Sequence, residues 1–439
     1  MNFIKGSLFT VISKAIMFLS SLFISIYIAR ILGPEAKGMY YLLVQLVSIV
    51  VLLGMFGINN SAVYFSGKQR ISQAELTTHL LFLAVFSSAI FFILIMMCRD
   101  FLLGSILKGL PIQYVRIMTF AIPFLMLNQI ALSIILGLKR IVLYNVFEMF
   151  CYFLLFLNFL IFVVGLRMGI SGACLGFVIT YFLMDCVYIL LFIKDMEWQI
   201  SRDKIKEILY YGLRSFLGPI CLLLIFKADS FVLNLFSDIR NVGFYSIAVS
   251  LAELIPFLPL AIGTVLFPKL ASQEIDVLNA STIRVVRVIF SFLILLGLTL
   301  LFLGRWLILF IYGQMYSLSI VPMYILLPGF VFISLYYLFF SYFNAAAKPE
   351  VSTIILIITL IIKVALSIFA IPRWGIIGAA GASTISYSLC GIMFLAAFRL
   401  HSKSSLKDIF IIKNSDIKYI WNISASLVNK YRVTEEALP

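Results

Sequence analysis

Charged side chains are scarce in this sequence. Only 12% of its 439 residues are Asp, Glu, Lys or Arg, against about 25% in a soluble globular domain. Hydrophobic residues make up 63%, against about 45–50%. A water-exposed domain of this length could not cover so much apolar surface with so few charges. The composition therefore excludes an ordinary soluble fold and indicates a membrane protein.

Motifs for nucleotide, metal and redox chemistry are also lacking. The sequence contains no G-x-x-x-x-G-K-[ST] loop, no H-E-x-x-H and no extramembrane segment long enough for an enzyme domain. Its two histidines, His79 and His401, are far apart, and we interpret both as surface or interfacial residues. The six cysteines show no C-x-x-C spacing, which favours reduced packing residues over a disulfide or metal site. The sequence therefore predicts no cofactor, no metal site and no enzyme activity.

Long apolar runs are abundant instead. Twelve runs of about 20 residues, the length that crosses a membrane as a helix, follow one another along the chain. They cover residues 7–29, 39–58, 77–97, 114–137, 142–164, 170–193, 208–233, 243–267, 284–303, 320–344, 352–371 and 376–398. The runs are continuous and do not alternate with period 2, which favours helices over a barrel. The predicted fold class is an all-α polytopic membrane protein with about twelve transmembrane helices.

The distribution of Lys and Arg predicts the orientation. With twelve spans, both termini lie on one side, whose loops hold 20 of the 33 basic residues, while the other side holds 9, Lys37 among them. Cytoplasmic loops carry the excess of basic residues. Both termini are therefore predicted to be cytoplasmic, and the net charge of +14 reflects this orientation rather than nucleic-acid binding.

The two halves of the chain show weak internal similarity. Gly38-Met39-Tyr40 matches Gly243-Phe244-Tyr245 at an offset of 205, and residues 169–173 match residues 375–379 at an offset of 206. The charged segment 195–207 separates these halves. We therefore predict six-helix lobes at 1–194 and 208–398, a linker at 195–207 and a cytoplasmic tail at 399–439. Two such lobes, related by an axis along the membrane normal, can rock about a central cavity.

Apart from basic residues near span ends, which are counted with the loops, eight charged residues fall inside the predicted spans, where a charge is costly unless it faces protein or water. They are Lys14, Glu148, Asp185, Arg214, Lys227, Asp229, Glu253 and Lys363. One interpretation is structural pairing, for example of Lys14 with Glu148 or Asp185. The other places the four cations around an anionic substrate and lets some carboxylates carry protons or Na⁺. Lys227 and Asp229 are two residues apart on one helix, so we do not expect them to pair with each other.

The tail has one apolar face. Ile417, Ile420, Trp421, Leu427 and Tyr431 follow helical spacing within a segment too polar to span a membrane. We expect an amphipathic helix on the cytoplasmic leaflet, with a disordered tail as the alternative.

Residues 27–40 read Y-I-A-R-I-L-G-P-E-A-K-G-M-Y. This segment resembles the A-R-x-L-G-P-x-x-x-G-x-[YF] opening of the polysaccharide transport family, the O-antigen and capsule repeat-unit flippases of the multidrug/oligosaccharidyl-lipid/polysaccharide exporter superfamily. Residues 53–61 are similar to the end of that family's second span. Lys37 departs from the aromatic residue often found at its position, which leaves the substrate subtype open.

The resemblance implies a MATE-like pair of six-helix lobes, V-shaped around a central cavity in the bacterial inner membrane. It implies export of an undecaprenyl-diphosphate-linked oligosaccharide to the periplasmic leaflet, coupled to H⁺ or Na⁺, with glycan polymerase machinery as a candidate partner. Arg and Lys suit a diphosphate. The candidate substrate-cavity residues are Arg30, Lys14, Arg214, Lys227 and Lys363. The candidates for ion coupling or charge balance are Glu148, Asp185, Asp229 and Glu253.

Two other functions stay open at this point. A drug or cation exporter of the same superfamily would use carboxylates in an apolar cavity, which the four intramembrane cations disfavour. A membrane-embedded glycan polymerase or ligase would present a large periplasmic loop, whereas the longest outer loop here spans about 16 residues near 98–113. A purely structural membrane protein would not need eight intramembrane charges.

Overall fold

The computed structural model describes residues 3–68, 71–192, 197, 200–260, 274–411 and 413. No β-strand occurs within these ranges, and their regular elements are helical. The α-helices are α1 (Phe3–Tyr27), α2 (Gly33–Met55), α3 (Ile58–Lys68), α4 (Gln73–Gly104), α5 (Ile112–Thr119), α6 (Ala121–Gly137), α7 (Ile141–Phe159), α8 (Gly169–Phe192), α9 (Arg202–Phe236), α10 (Ile239–Ala252), α11 (Ile275–Ile311), α12 (Ile320–Ala345), α13 (Pro349–Ser402) and α14 (Leu406–Phe410). The prediction of an all-α fold is confirmed.

Nine helical stretches of the described chain are long and apolar enough to cross a membrane. Two of them each contain two predicted spans. Residues 16–55 run through a π-helical turn (Ile28–Leu32) into Gly33, which has φ +84°. Residues 349–402 contain Gly375, whose φ of 53° and ψ of −126° are not helical. The predicted span 243–267 extends into residues 261–273, which lie outside the described ranges. The structure thus agrees with a polytopic fold of about twelve transmembrane helices.

Matching backbone turns occur in both halves of the chain. Gly169 and Gly375, which the sequence aligns at an offset of 206, have φ of 58° and 53°. Gly109 and Gly313, at an offset of 204, have φ of 85° and 95°. These left-handed values suit glycine because it lacks a Cβ. The same turn at equivalent places supports the internal repeat.

Helices α2 and α10 cross at an aligned pair of glycines. A Cβ on Gly38 would clash with the carbonyl oxygen of Ile239, and a Cβ on Gly243 would clash with that of Pro34. Pro34 and Ile239 are related by the same offset of 205 as the two glycines, so the contact is reciprocal, as in a two-fold interface. Small residues let two membrane helices approach this closely.

The chain divides into two compact units. The first comprises Met1–Ala248, Trp306–Pro322 and Lys363–Ala379, and the second comprises Val249–Arg305, Met323–Ile362 and Ala380–Pro439. These units are a different division from the lobes at 1–194 and 208–398, which stay a prediction.

The second unit holds the segment that follows the last span. Ser405 accepts a hydrogen bond from the backbone N–H of Asp408 and so caps α14. Arg287 of α11 donates to the carbonyl oxygen of Asp408, and the rings of Phe290 and Phe410 pack 4.7 Å apart. Hydrogen bonds from Lys413 and Ser405 lower the pKa of the Asp408 carboxyl. The predicted tail helix at 417–431 lies outside the described residues.

Candidate functional site

The charged residues proposed from the sequence lie on different helices and in different surroundings. Arg214 is exposed on α9, with its guanidinium carbon 4.6 Å from the centre of the Tyr210 ring. Lys227 is half-buried on the same helix. Arg30 is exposed in the π-helical turn and donates to the carbonyl oxygen of Phe310. Three of the five proposed cations thus have side chains that solvent, lipid or a ligand can reach.

The structure shows no such accessible side chain for the other two proposed cations. Lys14 belongs to α1, but its side chain lies outside what the structure describes. Lys363 on α13 is fully buried, and its Nζ lies 2.9 Å from Oδ2 of Asp229 on α9, whose side chain is 1% exposed. The two residues are 134 positions apart in the sequence, and within the first unit their ion pair joins α9 to α13.

The surroundings of Asp229 complete its hydrogen bonding. The Tyr245 hydroxyl on α10 donates to the same Oδ2 over 2.6 Å, and the Ser230 hydroxyl lies 3.4 Å from Oδ1. A buried ion pair keeps its charges only when the partners and hydrogen bonds are in place. The sequence-based expectation that Lys363 faces an open cavity is therefore not what the structure shows. Lys363 and Asp229 instead follow the pairing interpretation.

Two proposed carboxylates lie near each other on α7 and α8. Asp185 is 3% exposed, and neither of its carboxylate oxygens has a hydrogen-bond partner among the described residues. Glu148 is half-buried and hydrogen-bonded to the Tyr144 side chain. A buried charge is costly unless it is paired and hydrogen-bonded, and this sets Asp185 apart from Asp229, which has both an ion-pair partner and a hydrogen-bond donor.

Glu253 lies just after α10, where the helix ends. Its backbone N–H still donates to the carbonyl oxygen of Val249 over 2.8 Å, and a turn follows it. It is half-buried and belongs to the second unit. No group of three His, Cys, Asp or Glu residues that could hold a metal ion occurs in the described part of the chain.

A pocket of about 330 Å³ lies inside the first unit, among α3, α6, α7 and α8. It is lined by Asn59, Leu125, Asn128, Gln129, Leu132, Ser133, Leu136, Tyr144, Glu148, Cys151, Tyr152 and Tyr181. Glu148 is the single charged residue of this set, and amides and tyrosines supply most of its polar groups. This volume and mixed polarity are typical of a small-molecule site.

The fold buries two polar residues, Lys37 and His79, that the sequence did not identify as buried. Lys37, which we expected in an outer loop, is 5% exposed in α2 and donates to the Ser25 hydroxyl over 2.7 Å. Gly33-Pro34 is the sequence signal that a helix begins before Lys37, since proline favours the first turn of a helix. His79 is fully buried rather than at the surface, and its Nε2 accepts the backbone N–H of Ser201 over 2.8 Å. The interpretation of His79 as a surface residue was wrong, and its position at the membrane interface stays a prediction.

The chain is similar to several known proteins. The family model described as "Polysaccharide biosynthesis protein" matches residues 3–274. A putative O-antigen transporter of Shigella flexneri is 25% identical over 407 residues, which cover 89% of this chain and 95% of that protein. An uncharacterized membrane protein of Methanocaldococcus jannaschii is 24% identical over 253 residues, which cover 53% of this chain and 50% of that protein.

Solved structures share the fold. The lipid II flippase MurJ in an inward closed conformation has a TM-score of 0.78 and 15% identity, covering 95% of this chain and 92% of its own. A multidrug resistance MATE family transporter of the MOP superfamily, in an inward-facing conformation, has a TM-score of 0.74 and 17% identity. The match covers 90% of this chain and 98% of that transporter. At this identity the likeness shows the fold alone.

Proposed function

The chain belongs to the polysaccharide biosynthesis protein family, and we propose that it is the flippase for a lipid-linked oligosaccharide. It would move undecaprenyl-diphosphate-linked repeat units from the cytoplasmic to the periplasmic leaflet of the bacterial inner membrane, with both termini in the cytoplasm. The observation that carries the proposal is the similarity to an O-antigen transporter along 89% of the chain. The helical repeat and the MurJ-like fold support it.

The diphosphate is the anionic part of this substrate, and cationic side chains are expected to bind it. Arg214 and Lys227 lie on the same helix, about three and a half turns apart, and the side chains of both are at least partly accessible. We assign diphosphate contacts to these two residues, and further contacts to Arg30 and Lys14. Charge-assisted hydrogen bonds to phosphate are stronger than neutral ones. Lys363 is assigned a different role, which is to neutralise Asp229.

Coupling to H⁺ or Na⁺ would supply the driving force. Asp185 is the first candidate, because its two carboxylate oxygens are buried without a hydrogen-bond partner in the described part of the chain. Glu148 and Glu253 remain proposals for coupling or charge balance, and Asp229 provides charge balance to Lys363. In an alternating-access cycle, the ion would be taken up on one side of the membrane and released on the other.

Deletion of the gene in its own host tests the proposal. We expect the surface glycan to be lost and lipid-linked repeat units to accumulate on the cytoplasmic leaflet, where an added periplasmic glycosidase cannot reach them. The wild-type gene on a plasmid should reverse both effects. If the deletion strain exports its repeat units normally, the proposed function is wrong.

A further inference from the structure

We propose that the pocket among α3, α6, α7 and α8 binds one sugar residue of the oligosaccharide and selects uncharged or amino sugars against acidic ones. This inference rests on the proposed function, because it assigns a subsite to that substrate. Nothing in the diphosphate chemistry requires the pocket, since none of its twelve lining residues is cationic. The sugar and the phosphates would therefore be recognised by different parts of the protein.

The lining residues match the chemistry of a sugar ring. Side-chain amides both donate and accept hydrogen bonds, as sugar hydroxyls do, and Asn59, Asn128 and Gln129 provide three of them. Tyr152 and Tyr181 add aromatic rings, whose negative faces suit the C–H groups of a pyranose. A lipid tail would instead require an apolar lining.

One of these amides lacks a hydrogen-bond acceptor within the part of the protein that the structure describes. Asn128 is 4% exposed, and its Nδ2 has no hydrogen-bond acceptor among the described residues. An unpaired buried donor costs free energy, and an oxygen of a ligand in the pocket would recover it. This observation is independent of the pocket's shape and points to a ligand that carries acceptors.

The size of the pocket sets the kind of ligand. A bare cation, with oxygen ligands at about 2.0–2.6 Å, would fill only a small part of the pocket volume of about 330 Å³. The volume lies near the lower end of the ~300–1,000 Å³ range of small-molecule sites. It therefore suits one monosaccharide rather than a whole repeat unit.

The charge of Glu148 sets the selectivity. Its carboxylate accepts hydrogen bonds from hydroxyl or ammonium groups and repels the carboxylate of a uronic acid. Among the side chains that the structure describes, no basic one lines the pocket to offset this repulsion. A sugar acid would thus be disfavoured at this position.

The test uses the purified full-length protein in lipid nanodiscs and saturation-transfer NMR. Galactose, glucosamine and glucuronic acid serve as probes because they share a ring size and differ in charge. We expect saturation transfer to galactose and glucosamine, and at least about fivefold weaker binding of glucuronic acid. Glu148→Gln keeps the shape of the side chain and should raise glucuronic acid binding to the level of galactose.

Asn128→Leu removes the donor and should weaken galactose binding by about three- to tenfold, the effect expected for one net hydrogen bond. Asn158→Leu is the matched control, because Asn158 is a buried amide of α7 that bonds to Thr180 and does not line the pocket. Its galactose binding should equal that of the wild type. If Asn128→Leu does not fold, the Glu148→Gln comparison decides alone.

Three results would overturn the inference: no saturation transfer to any probe, equal galactose binding by wild type and Asn128→Leu, or glucuronic acid binding as strong as galactose binding. Flipping of the lipid-linked oligosaccharide by the same preparation is measured separately. Sugar binding without flipping would refute the flippase function and leave the pocket assignment, whereas flipping without sugar binding would refute the pocket assignment alone.

Discussion

Replacing Lys363 by methionine removes the cation of the buried pair and leaves Asp229 without its counter-charge. The two groups are 2.9 Å apart with side chains 0% and 1% exposed, so water cannot take the place of the missing partner. Loss of one partner of a buried pair costs about 3–5 kcal/mol. The Tyr245 hydroxyl still donates to Asp229, which favours the lower end of that range. We therefore expect Lys363→Met to lower the free energy of unfolding by about 3 kcal/mol.

The reciprocal and double variants complete a thermodynamic cycle. Asp229→Leu leaves Lys363 buried without its counter-ion and should cost a similar ~3 kcal/mol. The double variant replaces both charges by apolar side chains, which is often neutral or stabilising, and loses the acceptor of the Tyr245 and Ser230 hydroxyls, at about 1 kcal/mol. The two substitutions should therefore be strongly non-additive, with a coupling free energy of about 5 kcal/mol.

Denaturation by sodium dodecyl sulfate in mixed micelles, followed by circular dichroism, measures these free energies. Additive effects, or single variants within about 1 kcal/mol of the wild type, would refute the argument. Surface glycan in the same strains then separates pairing from transport. Because the role that we assign to Lys363 is only to neutralise Asp229, the double variant should export glycan as the wild type does. A stable double variant without surface glycan would show that one of the two residues takes part in transport.

Other substitutions test the helix crossing, the coupling ion and the diphosphate contacts. Gly38→Ala should destabilise the protein by about 1–3 kcal/mol, because its Cβ meets the backbone of α10, whereas Gly381→Ala, with open space around it, should be neutral or slightly stabilising by thermal unfolding. Asp185→Asn should preserve stability and abolish the dependence of export on a proton or sodium gradient; unchanged dependence would remove Asp185 from coupling. Arg214→Ala and Lys227→Ala should each reduce surface glycan severalfold at native expression, and normal glycan in both would contradict the diphosphate assignment.

The spans could be predicted from the sequence because run length and hydropathy are local properties. The lysines were harder to place. Lys37 was expected in a loop because Arg30 and Glu35 interrupt the apolar run, yet the chain stays helical there through a π-helical turn. Lys363 could be recognised as intramembrane, but its partner Asp229 is 134 residues away, and a single sequence does not say which helices are neighbours.

For the repeat and the pocket, too, the sequence predicts local features but not which helices are neighbours. Gly38 and Gly243 could be aligned from their spacing, but their mutual contact follows only from the helix crossing. The pocket was not predicted, since Asn128 and Tyr181 carry no motif and become a site only when α6 and α8 come together. Intramembrane charges were candidates from the sequence because each is costly on its own, whereas a neutral amide costs less to bury.

Transport by the purified protein is the most direct test of the central claim. The protein is reconstituted into liposomes that contain undecaprenyl-diphosphate oligosaccharide with a fluorescent sugar, and a membrane-impermeant reagent bleaches the label in the outer leaflet. We predict that wild-type protein lets the reagent bleach the label of both leaflets, that Arg214→Ala slows bleaching of the inner half severalfold, and that protein-free liposomes keep the inner half protected. If the inner half stays protected with correctly folded wild-type protein, under proton and sodium gradients of either direction, the chain is not a flippase for this class of lipid.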